Sequence, residues 1–319
     1  MPLKIRIGSR PSKLALAQAS IVCDRLTAQI SGIEIEIVAI RTSGDKMTSA
    51  SLADVGGKGL FIKELEQALA NRTIDAAVHS MKDLPALLPS QFRVAAVPGR
   101  ENTSDILVTR DGSTLSALPA GARLGTSSSR RRFQALRINR GLEILPLRGN
   151  VDTRLARVAD GTFDAIIVAM AGLKRLGRVK DVKFVELDAG DFIPAGGQGA
   201  LAIETLADRK GDELDRALGT INDARAFYET AAERAFLAAL GASCTTPVGV
   251  RAVMPTDALR ADTLVIWAML FSPDGSRELS DAIIEARDPN LAPSAAENSG
   301  ERFAEVMLER GAAALLHPQ

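Results

Sequence analysis

Lys4-Ile5-Arg6-Ile7-Gly8-Ser9-Arg10-Pro11-Ser12 sets how the rest of the chain is read. Its first four residues alternate polar and apolar, as a strand with one face on a core requires. The alternation stops at a glycine, and Ser12 stands where a hydroxyl caps a helix. Residues 14 to 30 then carry apolar side chains at helical spacing, and 34 to 40 alternate again. A helix over 61 to 70 and a strand over 75 to 79 complete a βαβαβ series, so the chain opens as an α/β domain.

Breakers divide the remainder of the chain. Pro98 to Ser104 interrupts the rhythm, and a second α/β series comes after it. Its expected strands are 106–108, 123–125, 144–147 and 165–168, with helices from about Arg130 and Val151. Pro194 to Gly199 is the next breaker, and a helix follows Asn222. Strands over 248–253, 264–271 and 283–286 and a final helix over 302–316 describe a small α+β domain. No repeat at a fixed period is evident. Residues 42 to 59 are rich in Gly, Ser and Asp and read as a long loop, a type that is usually functional or mobile. Lys58 is expected to face a cleft from this loop, which would act as a lid.

The 319 residues suffice for two or three cores, and 46% hydrophobic composition fits a globular protein. A formal net charge of zero argues against a polyanion-binding protein, and one Trp and one Tyr supply few base-stacking platforms, so no nucleic acid partner is expected. The apolar runs are too short for a bilayer, and no membrane association is expected. Two cysteines cannot build a disulfide framework and fit a reducing compartment; a soluble, cytoplasmic protein, acting as a monomer, is expected.

Ligands of open α/β sheets bind beyond the carboxyl ends of the strands. Three such junctions are Gly8 to Ser12, Gly125 to Arg132 and Leu147 to Arg154. Each joins small or hydroxyl residues to arginine at a helix start, where N–H groups and the dipole favour an anion and the guanidinium fork matches a carboxylate. Residues 83 to 173 hold 12 arginines, no lysine and 8 acidic residues. The pattern points to a ligand with several negative groups.

Two further segments carry chemistry. His79-Ser80-Met81-Lys82-Asp83-Leu84-Pro85 closes the third strand, where a carboxylate beside a lysine suits acid–base work or stabilises a cation. His79 reads as a hydrogen-bonded structural histidine. Gly241-Ala242-Ser243-Cys244-Thr245-Thr246-Pro247 places a cysteine on a loop of small residues, open enough to carry a covalent group. The other cysteine, Cys23, lies in an apolar helical pattern. With only His79 and His317 there is no histidine pair at metal-ligand spacing, and no metal is expected. Gly56-Gly57-Lys58-Gly59 lacks the spacing of a phosphate loop. These residues leave open a carboxylate-binding protein without chemistry and a cysteine-nucleophile transferase.

In this order, these segments resemble the porphobilinogen deaminase (hydroxymethylbilane synthase) family over nearly the whole chain. The matching stretches include Gly8 to Ser12, Val55 to Phe61, His79 to Pro85, Gly125 to Ser128 with Arg130-Arg131, Leu147 to Val151 with Thr153-Arg154-Leu155, Ala171 to Gly177, Gln198-Gly199-Ala200 and the Cys244 loop. Ser129 stands where the family has an apolar residue, and Asp54 where it often has lysine.

The resemblance implies two periplasmic-binding-protein-like α/β domains around a cleft plus a smaller C-terminal α+β domain. The expected division is 1–99 with 198–219, then 104–193, then 222–319 with the cofactor cysteine. It implies a dipyrromethane cofactor joined to Cys244 by a thioether. Four porphobilinogen molecules are condensed onto it head to tail with release of ammonia, and water releases the linear tetrapyrrole. Asp83 is implied as the catalytic group. Lys82, Ser128, Arg130, Arg131 and Arg154 are implied as cofactor ligands, Arg10, Ser12, Arg148 and Gln198 as substrate ligands, and Lys58 and Phe61 as lid residues.

Overall fold

The computed structural model describes residues 3–43, 62–243, 245–257 and 259–316. The expected loop over 42 to 59 and the lid residues Lys58 and Phe61 thus fall almost wholly outside the described residues, as does Cys244.

Three sheets organise the chain. In the first, β2 (Glu34–Ala39), β1 (Lys4–Ser9) and β3 (Ala76–Ser80) are parallel neighbours, followed by β10 (Leu201–Leu206) and β4 (Phe92–Ala96). β10 runs antiparallel to both its neighbours. The second sheet has the order β7 (Glu143–Leu145), β6 (Arg123–Gly125), β8 (Ala165–Ala169), β5 (Asp105–Thr109), β9 (Lys183–Glu186). Its first three strands are parallel and β5 is antiparallel to both neighbours, so the two sheets share one plan. The first carries α1 (Lys13–Gln29), α2 (Lys63–Ala70) and α6 (Glu213–Gly219). The second carries α3 (Ser129–Ile138), α4 (Val151–Ala159) and α5 (Met170–Arg175).

The shared plan rests on shared residues. Arg6 on β1 donates through its backbone N, Nε and Nη2 to Asp75, just before β3. Arg123 on β6 makes the same three bonds to Asp164, just before β8. Two residues after each arginine comes a glycine with no room for a side chain. A Cβ on Gly8 would stand 2.3 Å from Ile74, and one on Gly125 would stand 2.9 Å from Leu147 and Phe163. Thr73-Ile74-Asp75-Ala76 and Thr162-Phe163-Asp164-Ala165 are one motif used twice. No fixed period marks this repeat in the sequence, because Arg6 and Asp75 and Arg123 and Asp164 lie at different separations along the chain.

The third sheet is the meander β11 (Val248–Val253), β12 (Thr263–Phe271), β13 (Glu278–Ala286). One face of β12, Leu264, Ile266, Ala268 and Leu270, is buried under α7 (Ala224–Ala239), α8 (Pro293–Glu309) and α9 (Ala312–Leu316). Phe236 and Phe303 stack there with centroids 5.0 Å apart. The other face sets Met269 and Phe271 against Phe133 and Ile193 of the second body, fixing the third unit to α3. Burying one such side chain contributes about 1.5–3 kcal/mol.

Several elements differ from the sequence reading. β13 begins at Glu278 rather than 283, because its first half alternates between the helices and solvent and carries few apolar residues. The final helix is two: α8 opens on Pro293, and Gly311 at φ 100° breaks the turn before α9. β4, β9 and β10 were not foreseen. The reading of residues 194 to 199 as a breaker stands. The chain turns there and returns to the first sheet, inserting β10 between β3 and β4. The two crossings lie side by side, bridged at Arg100 and Ala200. Glu233 of α7 holds both, accepting from Arg100 Nη2 at 2.9 Å and from the Gly197 N–H at 2.6 Å.

Candidate functional site

The strand ends supply the site. Ser12 caps α1 by accepting from the Ala15 N–H at 3.2 Å, Ser128 caps α3 by accepting from the Arg131 N–H, and Asn150 caps α4 by accepting from the Thr153 N–H at 2.9 Å. Each cap turns its junction so that the neighbouring basic residues stand at the carboxyl ends of the strands. Arg10 and Ser12 are half-buried, and Arg148 is exposed.

β3 ends in a single 3-10 turn, Met81–Asp83. Met81 is buried beneath it, Asp83 is exposed at its end, and Lys82 points between the bodies. Lys82 Nζ donates to Gln198 Oε1 at 3.2 Å. Burial pushes the Lys82 ammonium down to about 8, and the charges of Arg131 and Arg130 add to this, against Asp83 and Asp105. Arg154 is coupled to the same groups. Burial lowers its pKa, Arg131 adds to the effect, and Asp83 opposes it. Its Nε donates to the Gly149 carbonyl at 2.9 Å. Asp83, Lys82, Arg131 and Arg154 thus form one electrostatic cluster spanning both bodies.

The paired arginines of α3, Arg130 and Arg131, are buried, and Arg132 is exposed. Arg131 donates through Nε and Nη2 to Asp105 Oδ1, at 3.2 and 2.6 Å, and through Nη1 to the Ile167 carbonyl. Arg130 Nη2 lies 2.8 Å from Asp105 Oδ2, and its Nη1 donates to the Ile193 carbonyl. Burial by itself would raise the Asp105 carboxyl, but the two arginines hold it far below the usual carboxylate range. Gln198 is fully buried, and its Nε2 donates to Asp105 Oδ1 and to the Thr103 carbonyl. Both ends of its amide are engaged inside the protein. Asp105 was not singled out in the sequence; the signal was an acidic residue opening an apolar strand within an arginine-rich stretch.

The cysteine loop reaches this place. Ser129 Oγ donates to the Thr245 carbonyl at 2.9 Å, so the residue after Cys244 is docked on the first turn of α3 beside Ser128. Cys23 packs against the first sheet, and burial pushes its thiol up to about 11, which disfavours the thiolate. His79 Nε2 lies 2.9 Å from Glu204 Oε2, both buried, in keeping with a structural histidine.

Two like-built α/β bodies enclose a cationic cleft, and a third unit brings a loop to its edge; together they define a cleft protein for a ligand with several carboxylates. The family profile for porphobilinogen deaminase, dipyromethane cofactor binding domain, matches residues 5–213, and that for the porphobilinogen deaminase C-terminal domain matches 227–309. A porphobilinogen deaminase of Sorangium cellulosum is 47% identical, covering 87% of this chain and 90% of the relative. One from Geobacillus sp. is 41% identical, covering 98% and 96%. Among solved structures, a periplasmic aliphatic sulphonate binding protein from Escherichia coli covers 97% of this chain and 89% of its own at 14% identity, with a TM-score of 0.43.

The chain belongs to the porphobilinogen deaminase family. It is a hydroxymethylbilane synthase that uses a dipyrromethane cofactor to build a linear tetrapyrrole from porphobilinogen.

Proposed function

We propose that the cleft residues divide this reaction between them, with Asp83 as the catalytic group and the cations as holders of carboxylates. The observation that carries the reading is that Arg130 and Arg131 and, through Gln198, Lys82 gather on Asp105, with Asp83 on the same turn as Lys82 and Thr245 docked on the first turn of α3. Lys82, Arg130, Arg131 and Arg154 are four cations facing the two carboxylates Asp83 and Asp105. Such an excess in a part-buried cleft suits a cofactor bearing acetate and propionate groups.

When bound through Cys244, dipyrromethane would supply the free pyrrole carbon to which the first porphobilinogen is joined, each later one joining the ring added before it. The chain's own residues do the rest. Lys82, Ser128, Arg130, Arg131 and Arg154 hold the cofactor carboxylates, and Arg10, Ser12 and Arg148 orient the incoming porphobilinogen. Gln198, expected as a substrate ligand, has its amide taken by Lys82, Asp105 and the Thr103 carbonyl, so in this reading it acts instead by holding Lys82 and Asp105. Asp83, exposed at the turn, assists deamination by stabilising the positive charge that develops on the substrate pyrrole as ammonia departs. The division of the chain into 1–99 with 198–219, 104–193 and 222–319 belongs to this reading, as does a cytoplasmic monomer acting without nucleic acid or membrane. Among the described residues no helix is long and apolar enough to cross a membrane.

Intact mass tests the assignment of Cys244. The wild-type chain should carry the added mass of one dipyrromethane, and Cys244→Ser should lose both that mass and the activity. A bare wild-type mass with activity retained would overturn it.

A further inference from the structure

Asp105 opens β5 with no exposed surface, and its carboxylate gathers side chains from several parts of the fold. Arg131 grips Oδ1 through two nitrogens, Arg130 Nη2 lies 2.8 Å from Oδ2, and Gln198 donates to Oδ1 at 3.0 Å. Through Gln198 the contact continues to Lys82 Nζ at 3.2 Å, and Lys82 also senses Asp105 directly. Arginine and aspartate come from the second body, lysine from the first, and glutamine from the crossing between them. A single carboxylate thus orders three cations and leaves their net charge positive, a state that a buried site tolerates only when further anions arrive.

We propose that Asp105 is a positioning residue for the cofactor: it fixes the Arg130 and Arg131 forks and, through Gln198, the Lys82 ammonium, as one preformed cradle joining the two α/β bodies. This rests on the reading of the cleft given under the proposed function. The cradle works by geometry as well as charge. A guanidinium forked onto Asp105 cannot swing, so its remaining face is held for a ligand carboxylate without the entropy cost of ordering it. The carboxylate also keeps Lys82 charged, because it opposes the burial and the two arginines that lower it.

The test is Asp105→Asn, which keeps shape and removes charge, read in two ways on the full chain. Intact mass gives the fraction of chains carrying the cofactor, which should fall at least tenfold. The pH dependence of Lys82 acylation, followed by peptide mass spectrometry, gives the lysine midpoint. It should move down from about 8 by about one unit, the effect of losing a nearby opposite charge. Arg130, Arg131, Asp83 and Asp105 are the charged groups facing Lys82, so the other three are left unchanged as controls.

A folded Asn variant with wild-type loading and an unmoved midpoint would overturn the proposal. If Asp105→Asn does not fold, Asp105→Glu retains the charge and displaces it by one methylene. Reduced loading in that folded variant supports positioning, and wild-type loading overturns it. A wild-type chain with no added mass would instead refute the cofactor assignment, while the Lys82 midpoint would still report on Asp105.

Discussion

The two α/β bodies are built alike and used differently. The chain repeats one frame: an arginine and a glycine on one strand (Arg6 and Gly8, Arg123 and Gly125), the arginine clasping an aspartate, and the stretch from Thr73 to Met81 or from Thr162 to Met170, in which a central strand is followed by methionine. After Met81 come Lys82 and Asp83; after Met170 come Ala171 and Gly172. One body therefore presents a lysine and a carboxylate where the other presents small residues that let α5 begin at once. The second body puts its charge instead at the start of α3 and α4. In the proposed reading the catalytic Asp83 sits in one copy of the frame and most of the ligand-holding cations in the other. Folding asks the same of both, and function asks different things of each.

The comparison breaks first at Asp83. Asp83→Asn should lower turnover by about 10²-fold or more, as removal of a catalytic charge does, with cofactor content by intact mass unchanged. Turnover near wild type would move the chemistry out of the first body. Arg131→Met and Arg154→Met should do the reverse, reducing the fraction of cofactor-loaded chains. A charge-assisted hydrogen bond contributes about 1.5–3 kcal/mol, or roughly 10- to 150-fold in ligand affinity. Arg148→Met should keep its cofactor and raise KM for porphobilinogen. Equal loading in all three variants would erase the distinction between the two groups of arginines.

The shared frame predicts a matched pair of stability effects. Gly8→Ala and Gly125→Ala should each destabilise by about 1–3 kcal/mol, the cost of overpacking, read as a lowered midpoint in urea. A cost at one site only would show that the two glycines do not play the same part. pH adds a subtler effect. The Lys82 pKa is pushed down to about 8, so its cation is present below that pH and lost as pH rises through it. Loading of the cofactor-free chain should slow over the same interval, and Lys82→Arg should flatten the profile. Lys13 and Asp152 meet across the cleft mouth at 3.4 Å, with the lysine 81% exposed. Such a pair contributes little, so Lys13→Ala should unfold at the wild-type midpoint at physiological ionic strength.

Much of this was legible in the sequence, for physical reasons that also mark where legibility ends. β1, α1 and β2 were read almost to the residue, because alternation and helical spacing persist over whole elements and Ser12 caps as expected. β10 was not, because Leu201 to Leu206 pairs on both sides inside a sheet and so shows no alternation. The arginine junctions point to a ligand with several negative groups, since hydroxyl caps and arginines recur at helix starts. The partner that orders them did not announce itself. Asp105 precedes its arginines by 25 and 26 residues and meets Gln198 only because the chain returns to the first sheet. The Arg–Asp clasps were missed in the same way: Arg6 and Asp75 touch through strand order, which no local pattern encodes.

The central claim is that Asp83 of the first body acts on the ligand while Lys82 beside it and the arginines of the second body hold it. A crystal structure of the full chain with dipyrromethane attached tests it most directly. The account predicts carboxylates of the cofactor within hydrogen-bonding distance of Arg131, Arg154 and Lys82, and its pyrrole nitrogens on the Asp83 carboxylate. Cofactor carboxylates lying away from these three cations, or pyrrole nitrogens bonded elsewhere than to Asp83, would contradict it.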